Sequence, residues 1–196
     1  MRNAEATKEL IVTRAMPLFN TKGYRATSLS DITKATGVTK GAIYGNFNNK
    51  DAVAVASFTK AVDLVISELR KEIKGAPTAP LKLKAILNYY SAYIENPPIE
   101  GGCPVINTSV EADDEHPQLR TRAVATIAMI KDSLKQIIHR GIIENQLRKD
   151  TPVERFATSF YAMIKGAILI ARVEGHPRSL ELIKEQLAQQ IDNISS

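Results

Sequence analysis

The segment from Thr27 to Asp51, TSLSDITKATGVTKGAIYGNFNNKD, constrains the fold more than any other part of the chain, because it reads as two short helices separated by one glycine. Ser28 and Asp31 carry the hydroxyl-x-x-acid spacing with which two side chains satisfy the free N–H groups of a first helical turn. Leu29, Ile32 and Ala35 then fall on one face. Gly37 stands where helices commonly end in a left-handed residue, a conformation that costs little only without a Cβ, and Val38 supplies an apolar plug for the turn. Thr39 is the N-cap of the next helix. The pattern predicts a helix-turn-helix.

In the second helix Ile43 and Phe47, four residues apart, predict an inward face, which leaves Thr39, Lys40, Gly41, Ala42, Tyr44 and Asn46 on or around the outer surface. A recognition helix lays its first residues against base edges in the major groove, so it needs small residues for close approach and donors that reach phosphate. Gly41 and Ala42 meet the first need, and Lys40, Tyr44 and Lys50 the second. The competing reading of the same residues is a helical hairpin with a solvated basic face.

Charge points the same way. Residues 1–50 hold 8 Lys or Arg against 3 Asp or Glu, a surplus of 5, whereas residues 51–196 hold 18 of each, so the formal charge of +5 resides at one end. Localised positive charge releases counterions from a phosphate backbone, while a charge-balanced remainder suits protein or small-molecule contacts. The basic end shows no amphipathic helix with exposed bulky apolar residues, which argues against a membrane surface as partner. The 196 residues suffice for a substantial core in one or two units. No apolar run reads as long enough to cross a bilayer and no signal-peptide core opens the chain, so a cytoplasmic location is expected. The single cysteine excludes an internal disulfide framework.

The run K-G-Y at Lys22 to Tyr24, Thr27, D-I at Asp31 and Ile32, then G-V-T-K-G-A-I-Y and F-x-x-K-D closely resembles the DNA-binding module of the TetR (tetracycline repressor) family over about the first 55 residues. The resemblance implies an all-α homodimer with a reading head and a divergent ligand-binding body whose occupied state releases DNA. Carried over residue by residue, it places phosphate contacts on Thr27, Tyr44 and Lys50. Base-facing positions fall on Thr39, Lys40, Gly41 and Ala42, with Asn46 where histidine is common. Two departures stand out. Gly45 occupies a position where many relatives carry a bulkier side chain, and Pro17 lies inside the first helix, where a bend or local loosening is expected. The implied division is a three-helix DNA-binding domain over residues 1–50 and a helical effector-binding and dimerisation domain over residues 51–196, with about nine helices in all.

The body reads as helices throughout. Asp51 to Lys74 forms a long fourth helix whose Val55, Phe58, Val62, Val65, Ile66 and Leu69 follow the helical period, and GAPTAP from Gly75 to Pro80 stops it. A fifth helix is expected from about Leu81 to Glu95, a short sixth from Gly102 to Ala112, and a seventh opened by Pro117. Asp113, Asp114 and Glu115 then favour the positive end of that seventh helix. With His116 they could also hold a metal, although consecutive ligands on a loop lack the i, i+4 spacing of a helical site, so no metal is assigned. Thr151, Pro152 and Glu154 form the start signal of an eighth helix, with Thr151 as hydroxyl N-cap. A ninth begins near Arg178.

The eighth helix is apolar around most of its circumference, and the ninth carries a narrow apolar stripe. Phe156, Ile164, Leu180, Ile183, Leu187 and Ile191 are therefore expected to pair with their copies in a four-helix dimer interface; the alternative is that they complete the core of one chain. Tyr90, Cys103, Asn107, Ile130, Phe160 and Tyr161 are the candidate lining of a pocket for a small apolar or aromatic effector, a composition that an ordinary core shares. Cys103, just after two glycines near a helix start, is a candidate thiol sensor or a small buried hydrophobe.

The expectation is a sequence-specific regulator, most plainly a repressor, that binds a near-palindromic double-stranded operator as a homodimer and is released by a small molecule, with no cofactor. The alternatives are a sensor acting through Cys103 and a DNA-binding protein without an effector. An enzyme is not expected, since the chain has no G-x-S-x-G elbow, no H-E-x-x-H and no phosphate-binding glycine loop.

Overall fold

The computed structural model describes residues 2–94, 96–112 and 116–196, so the acidic run from Asp113 to Glu115 lies outside the described residues. Among them the chain is all-α, with nine helices: α1 Arg2–Ala26, α2 Leu29–Thr36, α3 Lys40–Asn46, α4 Lys50–Lys74, α5 Ala79–Ala92, α6 Pro104–Glu111, α7 Pro117–Ile143, α8 Val153–Glu174 and α9 Arg178–Ile194. Two compact units form, one from residues 1–65 and 98–126 and the other from residues 66–97 and 127–196.

In the first unit α1 packs on α2, α3 and α6. Ile11, Val12 and Ala15 of α1 meet Ile32 of α2, Ile43 and Phe47 around α3, and Val53 of α4 in one buried cluster, with Leu29 and Val38 packed against it. The inward face expected from Ile43 and Phe47 is therefore present. Ala35 is instead exposed, because α2 is only two turns long and Leu29 with Ile32 already fills its contact with α1. The caps follow the residue chemistry. Ser28 accepts from the Asp31 N–H while the Asp31 carboxylate accepts from the Ser28 N–H, and Gly37 at φ 73 closes α2 with its N–H on the Thr33 carbonyl. Thr39 Oγ1 accepts from the Ala42 N–H at 3.2 Å and opens α3.

The break in α1 falls at Gly23, not at Pro17. Gly23, at φ 84 and ψ 170, is the non-helical residue within the α1 span, whereas the backbone around Pro17 stays helical. The positive φ is what requires glycine there, and a Cβ would also crowd the Glu111 carboxylate, 2.7 Å away at Oε2.

In the second unit α8 packs on α9, and both pack on α5. Phe156, Phe160, Ile164, Ile168, Leu180, Leu187 and Ile191 are buried there beside Leu83, Ile86, Leu87 and Tyr90. The turn after α7 is tied to the chain end, since the Arg148 N–H donates to Ile194 O at 2.8 Å and the Ser196 N–H to Gln146 O at 3.2 Å. Two start signals read differently from expectation. Thr78 caps α5, and Pro80 sits inside its first turn, where a missing N–H costs nothing, rather than blocking it. Thr151 does not cap α8; its hydroxyl donates to Arg148 O at 2.7 Å, and the helix begins at Val153 after Pro152. By length and composition α8 is apolar enough to cross a membrane, contrary to expectation, but its buried face packs on α9 and α5 as the central helix of a unit.

Candidate nucleic-acid interface and ligand cleft

The outer face of α3 presents Lys40, Gly41, Tyr44 and Gly45 to solvent, with Ala42 half-buried between them. Lys40 makes no hydrogen bond or ion pair among the described residues, and Tyr44 is 52 % exposed. A Cβ on Gly41 would meet nothing closer than Thr39 Oγ1 at 3.8 Å, and one on Gly45 would meet none of the described residues. The surface is thus flat around Ala42, with a cation and a phenol at its edges, which suits a helix laid into a groove. Asn46 is committed inward, its Nδ2 donating to Ala42 O at 2.8 Å, so α3 itself occupies the amide.

Thr27 and Lys50 differ from their expected outward roles. Thr27 is 0 % exposed, and its hydroxyl donates to Gly23 O at 2.6 Å. Lys50 Nζ donates to the carbonyls of Tyr24 at 2.9 Å and Thr27 at 3.0 Å and stands 4.0 Å from the Tyr24 ring centroid. Both side chains hold the turn between α1 and α2, because the kink at Gly23 frees carbonyls that need donors. In this structure they shape the reading head rather than extend from it.

Tyr24, whose part in this turn residue type alone did not disclose, is the centre of that network. Its hydroxyl donates to the Asp51 carboxylate, and its ring meets His116 with centroids 3.9 Å apart. Burial, then the Asp51 hydrogen bond, pushes the phenol above its usual pKa, so it stays a donor. Glu111 of α6 accepts from the N–H of Tyr24 at 2.6 Å and of Arg25 at 2.8 Å. Asn107, expected in a pocket, joins the same structural role: its Nδ2 donates to Asn20 O at 3.0 Å and Gly101 O at 2.8 Å. Cys103 is the N-cap position of α6 and is 3 % exposed, which gives an electrophile no direct approach.

The second unit contains a cleft of about 100 Å3, partly open to solvent. Tyr90, Ile130, Phe160 and Tyr161 line it; Cys103 and Asn107 do not. Its apolar wall also takes in Ile66, Leu69 and Ile73 from α4, and two cations, Arg70 and Lys165, share it. Those cations are not singled out by residue pattern, although a lysine inside the most apolar helix of the chain is the available signal.

The six side chains expected at a dimer interface are largely taken up within the chain itself. Phe156, Ile164, Leu180, Leu187 and Ile191 are buried within the chain and Ile183 is half-buried, because the stripe of α9 packs on α8 and α5 of the same unit. The apolar side chains that α8 and α9 leave at the surface are Leu169, Ile170, Val173 and Leu182, Val173 being 80 % exposed.

A helical chain with an open-faced helix-turn-helix at a basic N-terminal end defines a DNA-binding regulator. Residues 11–56 match the family described as bacterial regulatory proteins, tetR family, and residues 79–187 match the tetracyclin repressor-like C-terminal domain. The chain belongs to the TetR family of transcriptional regulators, which are not enzymes. A TetR-family transcriptional regulator from Cytophaga hutchinsonii is 38% identical and superposes with a TM-score of 0.92, covering 100% of this chain and 98% of that one. The transcriptional repressor DhaR of Mycobacterium sp. (strain GP1) is 26% identical over 197 residues, 96% of each chain. The fold is also shared with the regulator CifR, solved as a cysteine mutant with 26bp double-strand operator DNA, at 21% identity and a TM-score of 0.81 over 92% of this chain and 94% of that one.

Proposed function

We propose that this TetR-family regulator is a homodimeric repressor of the bacterial cytoplasm that binds a near-palindromic operator through α3 and is released from it by a small molecule in the cleft of the second unit. The exposed face of Lys40, Gly41, Ala42 and Tyr44 carries the reading of DNA, with Lys40 and Tyr44 on phosphate and Gly41 and Ala42 against base edges. CifR bound to operator DNA supports the same use of the fold.

For the release step the supporting observation is α4. Val53 of this helix lies in the core of the reading head, while Ile66, Leu69, Arg70 and Ile73 of the same helix line the cleft. A ligand acts only through differential affinity for two arrangements of the protein, and a helix that belongs to both sites is an element such a ligand biases. Dimerisation through the exposed Leu169, Ile170 and Val173 of α8 fixes the spacing of two heads, which then read inverted half-sites.

Footprinting on DNA flanking the protein's own gene tests the reading. It predicts protection of an inverted repeat that a cleft ligand abolishes; uniform protection of unrelated DNA would contradict it.

A further inference from the structure

The cleft of the second unit has a closed side and an open one. Ile86 and Tyr90 of α5, with Phe160 and Ile164 of α8, line it as buried side chains, and α5 and α8 pack on one another and on α9. The exposed side chains of the lining belong to the other two helices, Arg70 to α4 and both Met129 and Ser133 to α7. Met129 is 41 % exposed and lines the cleft, so it borders solvent and cavity at once. Ser133 Oγ donates to Met129 O at 2.9 Å, which ties that hydroxyl to its own helix.

A side chain that is both lining and exposed marks where a cavity meets water. Helices packed on one another through buried apolar side chains part only by exposing that core. Side chains at the open edge move at lower cost. Methionine is unbranched and reshapes readily, and an arginine stem lies along apolar surface while its head stays in water. The cleft itself is small, at about 100 Å3. An engineered apolar cavity of about 150 Å3 takes benzene, so a single ring is close to what the cleft holds, and a larger body has to part the helices at its open edge.

We infer that a ligand enters the cleft between α4 and α7, past Met129 and Ser133 on one side and Arg70 on the other, and that these three side chains set the rate and the size limit of entry. The inference rests on the proposed role of the cleft as the effector site and adds its route of access. Entry by this route has a consequence for release, because one of the two helices parted is α4, whose Val53 belongs to the core of the reading head.

Fluorine NMR exchange of fluorobenzene with the full chain, and with its Met129→Trp and Ser133→Trp variants, tests the route; circular dichroism checks that both variants fold. The unaltered chain should bind the probe saturably, with nuclear Overhauser contacts to the Leu134 and Ile130 methyl groups. An indole at the mouth should slow both entry and release about tenfold and leave the Kd within about twofold, because an obstacle on the path raises the barrier in both directions without touching the bound state. Either folded variant exchanging at the unaltered rate, or losing affinity with release no slower, overturns the route and leaves the cleft as a ligand site. Fluorobenzene that does not bind, or binds away from those methyl groups, overturns the route and the ligand-site reading together.

Discussion

The Glu111 carboxylate of α6 spans the break in α1, taking the N–H of Tyr24 at 2.6 Å and that of Arg25 at 2.8 Å, immediately after Gly23 turns the chain. A kinked helix leaves N–H groups without partners, and an acid from another helix satisfies two of them at once. α6 is therefore joined to the reading head by backbone hydrogen bonds rather than by packing alone. Replacing Glu111 with Ala should cost about 1–3 kcal/mol, the range for orphaned donors of this kind. Hydrogen exchange should show the Tyr24 and Arg25 amides losing protection first; unchanged exchange at both would remove the latch.

Asp31 gives the head an acid limit. Hydrogen bonds from the Ser28 hydroxyl and N–H, then from Lys22, hold its carboxyl well below the usual carboxylate range. A group whose folded pKa is depressed contributes stability that is present above the unfolded value of about 3.9 and lost as pH falls towards the folded one. Stability should decline as pH drops below about 4, and Asp31→Asn should flatten that part of the profile. A profile identical in the variant would mean that other carboxylates carry the acid response.

Lys50 and Lys40 separate two uses of positive charge. Lys50→Met removes donors to the Tyr24 and Thr27 carbonyls and should destabilise the head by about 1–2 kcal/mol while leaving the salt slope of DNA binding unchanged. Lys40→Ala should leave stability alone and lower the slope by about 0.9 for each phosphate that the lysine neutralises in a half-site. The opposite pair of results would return Lys50 to the DNA surface.

The helix-turn-helix could be read closely from residues because its determinants are local. Ser28, Asp31, Gly37 and Thr39 each act within a turn of their own position, and each cap forms as its chemistry dictates. Determinants that act across the chain were hidden. At the α1 break at Gly23 the freed Tyr24 N–H is met by Glu111, a contact across 87 residues of sequence. The same limit applies to Thr27 and Lys50, whose polar atoms are consumed by neighbours that only the fold brings close. Helical periodicity marked Leu187 and Ile191 as apolar but could not say whether their partner was this chain or a second copy.

The proposed dimer surface follows from that distinction. Ile170→Glu with Val173→Glu, on the exposed face of α8, should give folded monomers with weakened operator affinity. Leu187→Glu should instead unfold the second unit, since that side chain is fully buried. Sedimentation with circular dichroism distinguishes these outcomes, and a dimer that survives the α8 pair would place the interface elsewhere.

Gly141 marks a close approach within the second unit. A Cβ there would fall 2.5 Å from Ala79 Cβ and 2.8 Å from Leu147 Cδ1, so Gly141→Ala forces α7 away from the start of α5. Denaturant unfolding should register a loss of about 1–3 kcal/mol, as for other overpacked sites. An unchanged stability would show that α5 shifts freely.

Selection from a random duplex library, with the purified chain and its Ala42→Leu variant, tests most directly the proposal that the exposed face of α3 reads DNA sequence. The wild type should enrich one inverted repeat and the variant a repeat altered in the bases facing Ala42, because a larger side chain at a base edge changes which base fits. Retention of all sequences alike by the wild type, or an identical repeat from both proteins, would contradict it.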